Sequence, residues 1–175
     1  MQTLEVRRAE LGDTRVAEEE DPPAGDGQAV LGIKRFGLTT NNVTYGVIGD
    51  VTDHWSFRYW DFFPAAGDGW GRVPAWGIAT VQSSRSDAAA PGDRLFGFLP
   101  MGTHLVIEPR SGPMGGILDA SAHRAAMPAV YNFYAPALRD RQDETVALRP
   151  LFLTALVLDA AMARHGAEQI VVSSA

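Results

Sequence analysis

The residues best suited to chemistry lie together in the stretch Thr39-Thr40-Asn41-Asn42-Val43-Thr44-Tyr45. Asn41, Asn42 and Tyr45 offer two carboxamides and a phenol. If positions 40–48 form a helix, Tyr45 falls three residues after Asn42 and four after Asn41, so the three share one side. Such a face can bind and polarise a carbonyl by hydrogen-bond donation without a metal. The competing reading is a capped surface turn in which Tyr45 packs on the aromatic segment that follows.

That segment, positions 53–76, holds eight of the sixteen aromatic residues. Trp55, Tyr59, Trp60 and Trp76 in it are candidates for a wall around a flat or apolar small-molecule substrate. The alternative is packing that seals the mouth of the domain, since aromatic side chains bury large areas. Tyr131 and Asn132, with Tyr134 close by, could form a polar edge of the same pocket, or could pack with their polar ends in water.

Metal chemistry finds little support in the sequence. There is no cysteine. Four histidines (His54, His104, His123 and His165) lack a His-x-His or i, i+4 partner, so no metal site is expected. A dialysed preparation should therefore carry no stoichiometric zinc.

The elements that must hold these groups follow from pattern. Positions 3–7 and 14–17 read as a hairpin, and positions 18–27 as a polar loop broken by proline and glycine. Positions 28–38 return to strand character and lead into the helix expected at 40–48, where Val43 and Val47 should face the protein. The organising stretch is 73–109. Its runs at 75–81, 94–99 and 104–107, separated by Ala-Pro-Gly-Asp and Pro-Met-Gly-Thr, read as a β-meander of barrel type. A short strand at 117–119 and a short helix at 120–126 follow, then a charged loop at 140–144. A buried helix is expected over 149–165, with Pro150 in its first turn and Gly166 at its end. A last strand is expected at 167–175.

Composition bounds the function. The chain has 175 residues, 46% of them hydrophobic and 21% charged, enough for one domain with a sizeable core. Its net charge is −6, and positions 1–26, with eight acidic and three basic residues, contribute −5. No nucleic-acid partner is expected of so balanced a remainder. The start lacks the apolar core of a signal peptide, and the apolar run 151–163 is short for a bilayer and carries Asp159, so a cytoplasmic address without membrane contact is expected.

Three motifs resemble the medium-chain dehydrogenase/reductase superfamily and its GroES-like domain: Pro74-Ala75-Trp76-Gly77, Pro91-Gly92-Asp93-Arg94-Leu95 and Gly102-Thr103-His104. Leu-Thr-x-Asn-Asn-x-Thr-Tyr at 38–45, Gly-Trp-Gly-Arg-Val-Pro at 69–74 and Leu-Arg-Pro-Leu-Phe at 148–152 resemble a zinc-free, quinone-oxidoreductase-like branch known as a domain of unknown function. The resemblance implies a mainly β fold with some α, a GroES-like partly open barrel over 1–140. After it would come the linker helix and first strand of an incomplete Rossmann-type domain over 141–175. It implies that Asn41, Asn42 and Tyr45 face nicotinamide and substrate, and that the places of the zinc ligands fall on Asn41 or Asn42, Trp76 and Gly77. NADP is the implied cofactor, with Thr154, Ser173 and Ser174 its candidate contacts, and a carbonyl, enone or quinone the implied substrate. The chain would then be a catalytic half that stops where the phosphate-binding turn would begin, inactive in isolation, with a homodimer as one cover for its final helix. The alternative is a non-catalytic barrel that binds a ligand or partner, or is merely structural, an inactive fragment.

Overall fold

The computed structural model describes residues 1–51, 58–169 and 171. The chain opens with β1 (Gln2–Arg7) and β2 (Glu10–Glu18), paired antiparallel as the alternation predicts. Glu5 sits opposite Arg15 in the register and is almost fully buried, so it needs cations beside it. Arg15 Nη2 donates to it at 2.7 Å and Arg72 Nε at 3.0 Å. The strand β3 (Ala29–Phe36) follows, then α1 (Thr40–Val47), both where the sequence places them. β4 (Trp70–Gly71) adds a third strand to the first sheet, beside β1.

The main sheet is built from β3, β5 (Pro74–Ser84), β6 (Arg94–Pro100), β7 (His104–Ile107), β8 (Pro109–Ser111), β9 (Ile117–Asp119) and, after α2 (Ala129–Asn132), β10 (Phe133–Pro136). Its order is β7-β3-β5-β6-β10-β9-β8. The two edge strands, β7 and β8, are separated in the chain by the single residue Glu108. So short a connection brings the two edges together, and the sheet curls into a nearly closed, partly open barrel. Leu31, Val81, Leu95, Leu99, Ile107 and Tyr134 fill its interior. The fold is mainly β with a few helices.

The three runs of 73–109 do form strands, but not a meander. β5 and β6 pair through the Gly92 turn, whereas β7 passes to the far side of β3 and pairs with it in antiparallel register, Leu31 opposite Leu105. Pairing over that distance is invisible to local pattern.

α1 also turns differently from its apolar pattern. Val43 and Val47 are exposed, and Asn42 and Gly46 are buried. Two side-chain bonds of Asn42 set this rotation, as described below, and Gly46 lets Leu11 approach the helix backbone.

The last helix, α3 (Gln142–His165), starts seven residues ahead of the expected position, so Pro150 lies inside it and its first turn absorbs part of the charged loop. Only its first half docks: Val146 packs with Ile78 and Phe96, Arg149 stacks over Phe96 at 4.8 Å, and Arg35 pairs with Asp143. The expectation of a helix buried on several sides is not met, since Leu151 and Phe152 through Leu158 are largely exposed. At 24 residues α3 is long and apolar enough to cross a membrane, by length and composition alone. The strand expected at 167–175 falls mostly outside the described residues.

Close packing at one glycine gives a direct test of this core. A Cβ at Gly97 would collide with the ring of Tyr134, which is fully buried. Gly97→Ala should therefore destabilise the chain by about 1–3 kcal/mol, as overpacking does. Chemical denaturation would measure it, and an unchanged midpoint would contradict the placement of Tyr134 across β6.

Candidate functional site

The site is built where β3 ends. Gly37 donates its N–H to Trp76 O at 2.9 Å, and a side chain there would press on Val146 of α3, so the glycine allows three elements to meet. Thr39 is the extended N-cap of α1, and its N–H donates to Asn42 Oδ1 at 2.6 Å. Asn42 Nδ2 then donates to Pro74 O at 2.8 Å. One buried carboxamide thus caps the helix and fastens it to β5, which is why Asn42, not Val43, faces inward.

The consequence is a narrow cleft of about 20 Å3, lined by Asn41, Asn42, Tyr45 and Trp76 on one side and by Val146, Pro150 and Leu151 of α3 on the other. Asn41 is exposed at its mouth, and its carboxamide has no hydrogen-bond partner among the described residues. Asn42 has both polar atoms engaged, so its role is to position. Tyr45 is half-buried, 4.5 Å from Tyr59 and 5.5 Å from Phe98 between ring centroids.

Behind this wall lies an aromatic layer. Tyr131 packs on Phe98 at 4.7 Å and its hydroxyl lies 3.2 Å from that of Tyr59. Trp76 stacks on Phe96 at 5.6 Å with planes 10° apart. The layer rests on Arg124, which is sealed in the interior and makes four hydrogen bonds. Its Nε donates to Asn132 Oδ1 at 3.0 Å, its Nη1 to Asp119 Oδ2 and Tyr134 Oη at 2.9 Å, and its Nη2 to Tyr131 O. Asp119 Oδ1 in turn accepts from the Ser121 hydroxyl at 2.6 Å and from the N–H groups of Glu108 and Ser121.

The structure therefore brings Asn41, Asn42, Tyr45 and Trp76 into one cleft, with Tyr59 and Tyr131 in the layer behind. Two other candidates are elsewhere. Trp60 is a core residue packed with Val6, Val73 and Met101 against Gly49 and Gly71, where a Cβ on either glycine would collide with its indole. Asn132 belongs to the Arg124 network and not to a pocket edge, since both its amide atoms are bonded to Arg124. Thr154 lies on the exposed face of α3 and its hydroxyl donates to Pro150 O. Trp55, Ser173 and Ser174 lie outside the described residues. Among the described residues no three His, Asp or Glu side chains gather in a group that could hold a metal ion. Sequence reasoning missed Thr39, Pro150, Leu151 and Arg124. The Thr39-x-x-Asn42 spacing is a capping signature that could have found the first.

A family model described as "Protein of unknown function (DUF2855)" matches residues 36–175, and the chain belongs to that family. No curated protein matches its sequence. Among solved structures, the chain is similar to CurA from Vibrio vulnificus at 9% identity and a TM-score of 0.47, over 63% of this chain and 31% of that one. It thus spans about a third of the length of that structure.

All four tyrosines have hydroxyls pushed above the ordinary phenol value, in each case mainly by burial. Tyr134 is pushed up to about 12, with the Arg124 guanidinium opposing the shift. The native chain thus keeps protons that the unfolded chain releases near pH 10, so the tyrosines' contribution to stability is complete below about pH 10 and is lost as pH rises through the folded values. Phenolate absorbance in the folded chain should stay low past pH 10 and rise together with unfolding. Ordinary titration near pH 10 before any loss of structure would contradict the buried placement.

Proposed function

We propose that the chain is the substrate-binding part of a zinc-independent, NAD(P)H-dependent oxidoreductase acting on a carbonyl, enone or quinone. The observation that carries this reading is the carboxamide of Asn41, without a hydrogen-bond partner among the described residues, in one cleft with the Tyr45 phenol and the Trp76 ring. Two donors converging next to an aromatic face suit a flat acceptor, with the oxygen held by Asn41 and Tyr45 and the ring plane against Trp76. The motifs around these residues, and their resemblance to the quinone-oxidoreductase-like branch, support the same chemistry.

The described residues do not themselves make a site fit for the dinucleotide. Thr154, the one described candidate, uses its hydroxyl within α3. A bound cofactor would supply the hydride. The residues of this chain orient the acceptor, hold its oxygen by hydrogen bonds, and exclude water through the Tyr59–Tyr131–Phe98 layer.

A second reading, a non-catalytic barrel, is favoured by the size of the cleft. At about 20 Å3 it holds roughly one water, so an acceptor must dock across the mouth or part α1 from α3.

Adding 2-cyclohexenone to the isotope-labelled chain separates the two. The oxidoreductase reading expects a saturable shift of the Trp76 indole N–H signal, at least tenfold weaker in Asn41→Ala and in Tyr45→Phe. No saturable shift, or one indifferent to both substitutions, would favour the second reading. Where the protein turns over with NADPH, Tyr45→Phe should lower kcat/KM by roughly ten- to a thousandfold, with little change in folding stability.

A further inference from the structure

A second cavity, of about 330 Å3, shares no residue with the cleft. It lies where β6 begins and β10 ends, between Asp93, Arg94, Gly115, Ala137 and Arg139. Its volume is that of a small-molecule pocket.

Arg94 sets its chemistry. Eight of the chain's fourteen arginines have carboxylate partners within ion-pair distance, and Arg94 and Arg139 are among the six that have none among the described residues. Arg94 Nε is fully enclosed and makes no hydrogen bond, the one such buried side-chain nitrogen or oxygen among the described residues. A buried donor on a permanently charged group, left without an acceptor, is costly, and a guanidinium cannot escape by losing its proton. The neighbouring acid does not answer it: Asp93 Oδ2 accepts the N–H of Ala90 at 2.8 Å and closes the turn before β6. Gly92 and Gly115, both at positive φ, line the same space, and a Cβ built on either meets nothing within 4 Å, so the entrance is open.

We infer that this cavity binds an oxyanion, the carboxylate or phosphate group of a small molecule, with the Arg94 guanidinium as its main holder and Arg139 at its rim. A planar fork of N–H donors matches either group in a bidentate manner. The site needs neither the cleft nor its proposed chemistry, so the two stand or fall separately.

The test uses the whole chain, titrated with methyl phosphate and with acetate while following the Arg94 Nε–H signal, with sodium chloride at equal ionic strength as the control. A saturable shift with a midpoint below about 10 mM is expected for at least one of them. The tighter of the two names the group, and either result supports the site. Binding followed by calorimetry should weaken at least tenfold in Arg94→Met, and about three- to tenfold in Arg139→Met, an exposed position that leaves the fold in place if Arg94→Met does not. No saturable shift up to about 50 mM with either anion, an equal response to chloride, or unchanged binding in Arg139→Met together with any folded Arg94→Met would each overturn it.

Discussion

The structure depends most on the ion pair of Arg124 and Asp119, which is closed off from solvent. Taking either charge alone out of water would cost several kcal/mol, and the pair survives because almost every donor and acceptor in it is matched. Those matches come from five places in the chain: Glu108 between β7 and β8, β9, the turn after it, α2 and β10. Through Tyr134, whose hydroxyl donates to Phe98 O at 2.9 Å, the network reaches β6. Through the carbonyl of Tyr131 it fixes the ring that backs the cleft. Removing one partner would leave a charge stranded and loosen both the barrel seam and the aromatic layer at once.

The layer in turn holds α1. Tyr45 is wedged between Tyr59 and Phe98, and Asn42 ties the helix to Pro74, so the short helix has two anchors and little freedom to rotate. That rigidity leaves Asn41 at the rim with no hydrogen-bond partner among the described residues, which is the basis for reading the cleft as a ligand site. It also explains the cost to that reading: the same packing that orients the donors leaves little empty space. The least anchored wall of the cleft is α3, which touches the barrel through Val146, Arg149 and its first turns while the rest of it is exposed.

What local pattern could predict, it predicted well. The first hairpin, β3, the bounds of α1, and the strands on either side of the Gly92 turn were legible because alternation, caps and turn residues are short-range signals. The pairing of β7 with β3 was not, since it joins positions some seventy residues apart. Nor was the rotation of α1: counting valines gave the wrong face because two hydrogen bonds of Asn42 outweigh the burial of two small apolar side chains at the surface. Asn132 and Trp60 were misplaced for a related reason. A polar or aromatic type tells what a residue can do, and only the fold tells whether its capacity is already taken up by Arg124 or by the gap between Gly49 and Gly71. Pro150 was read as a helix start because proline suits a first turn, but the preceding residues have enough contact with Arg35 and the barrel to extend the helix past it.

The central claim is that Asn41 and Tyr45 form a donor pair for an acceptor oxygen. A crystal structure of the chain grown with an enone tests it most directly. The account predicts the carbonyl oxygen within about 2.7–3.2 Å of both Asn41 Nδ2 and Tyr45 Oη, with the ring against Trp76. An enone bound away from both residues, or a cleft still closed by Tyr45 and Leu151 at saturating ligand, would contradict it.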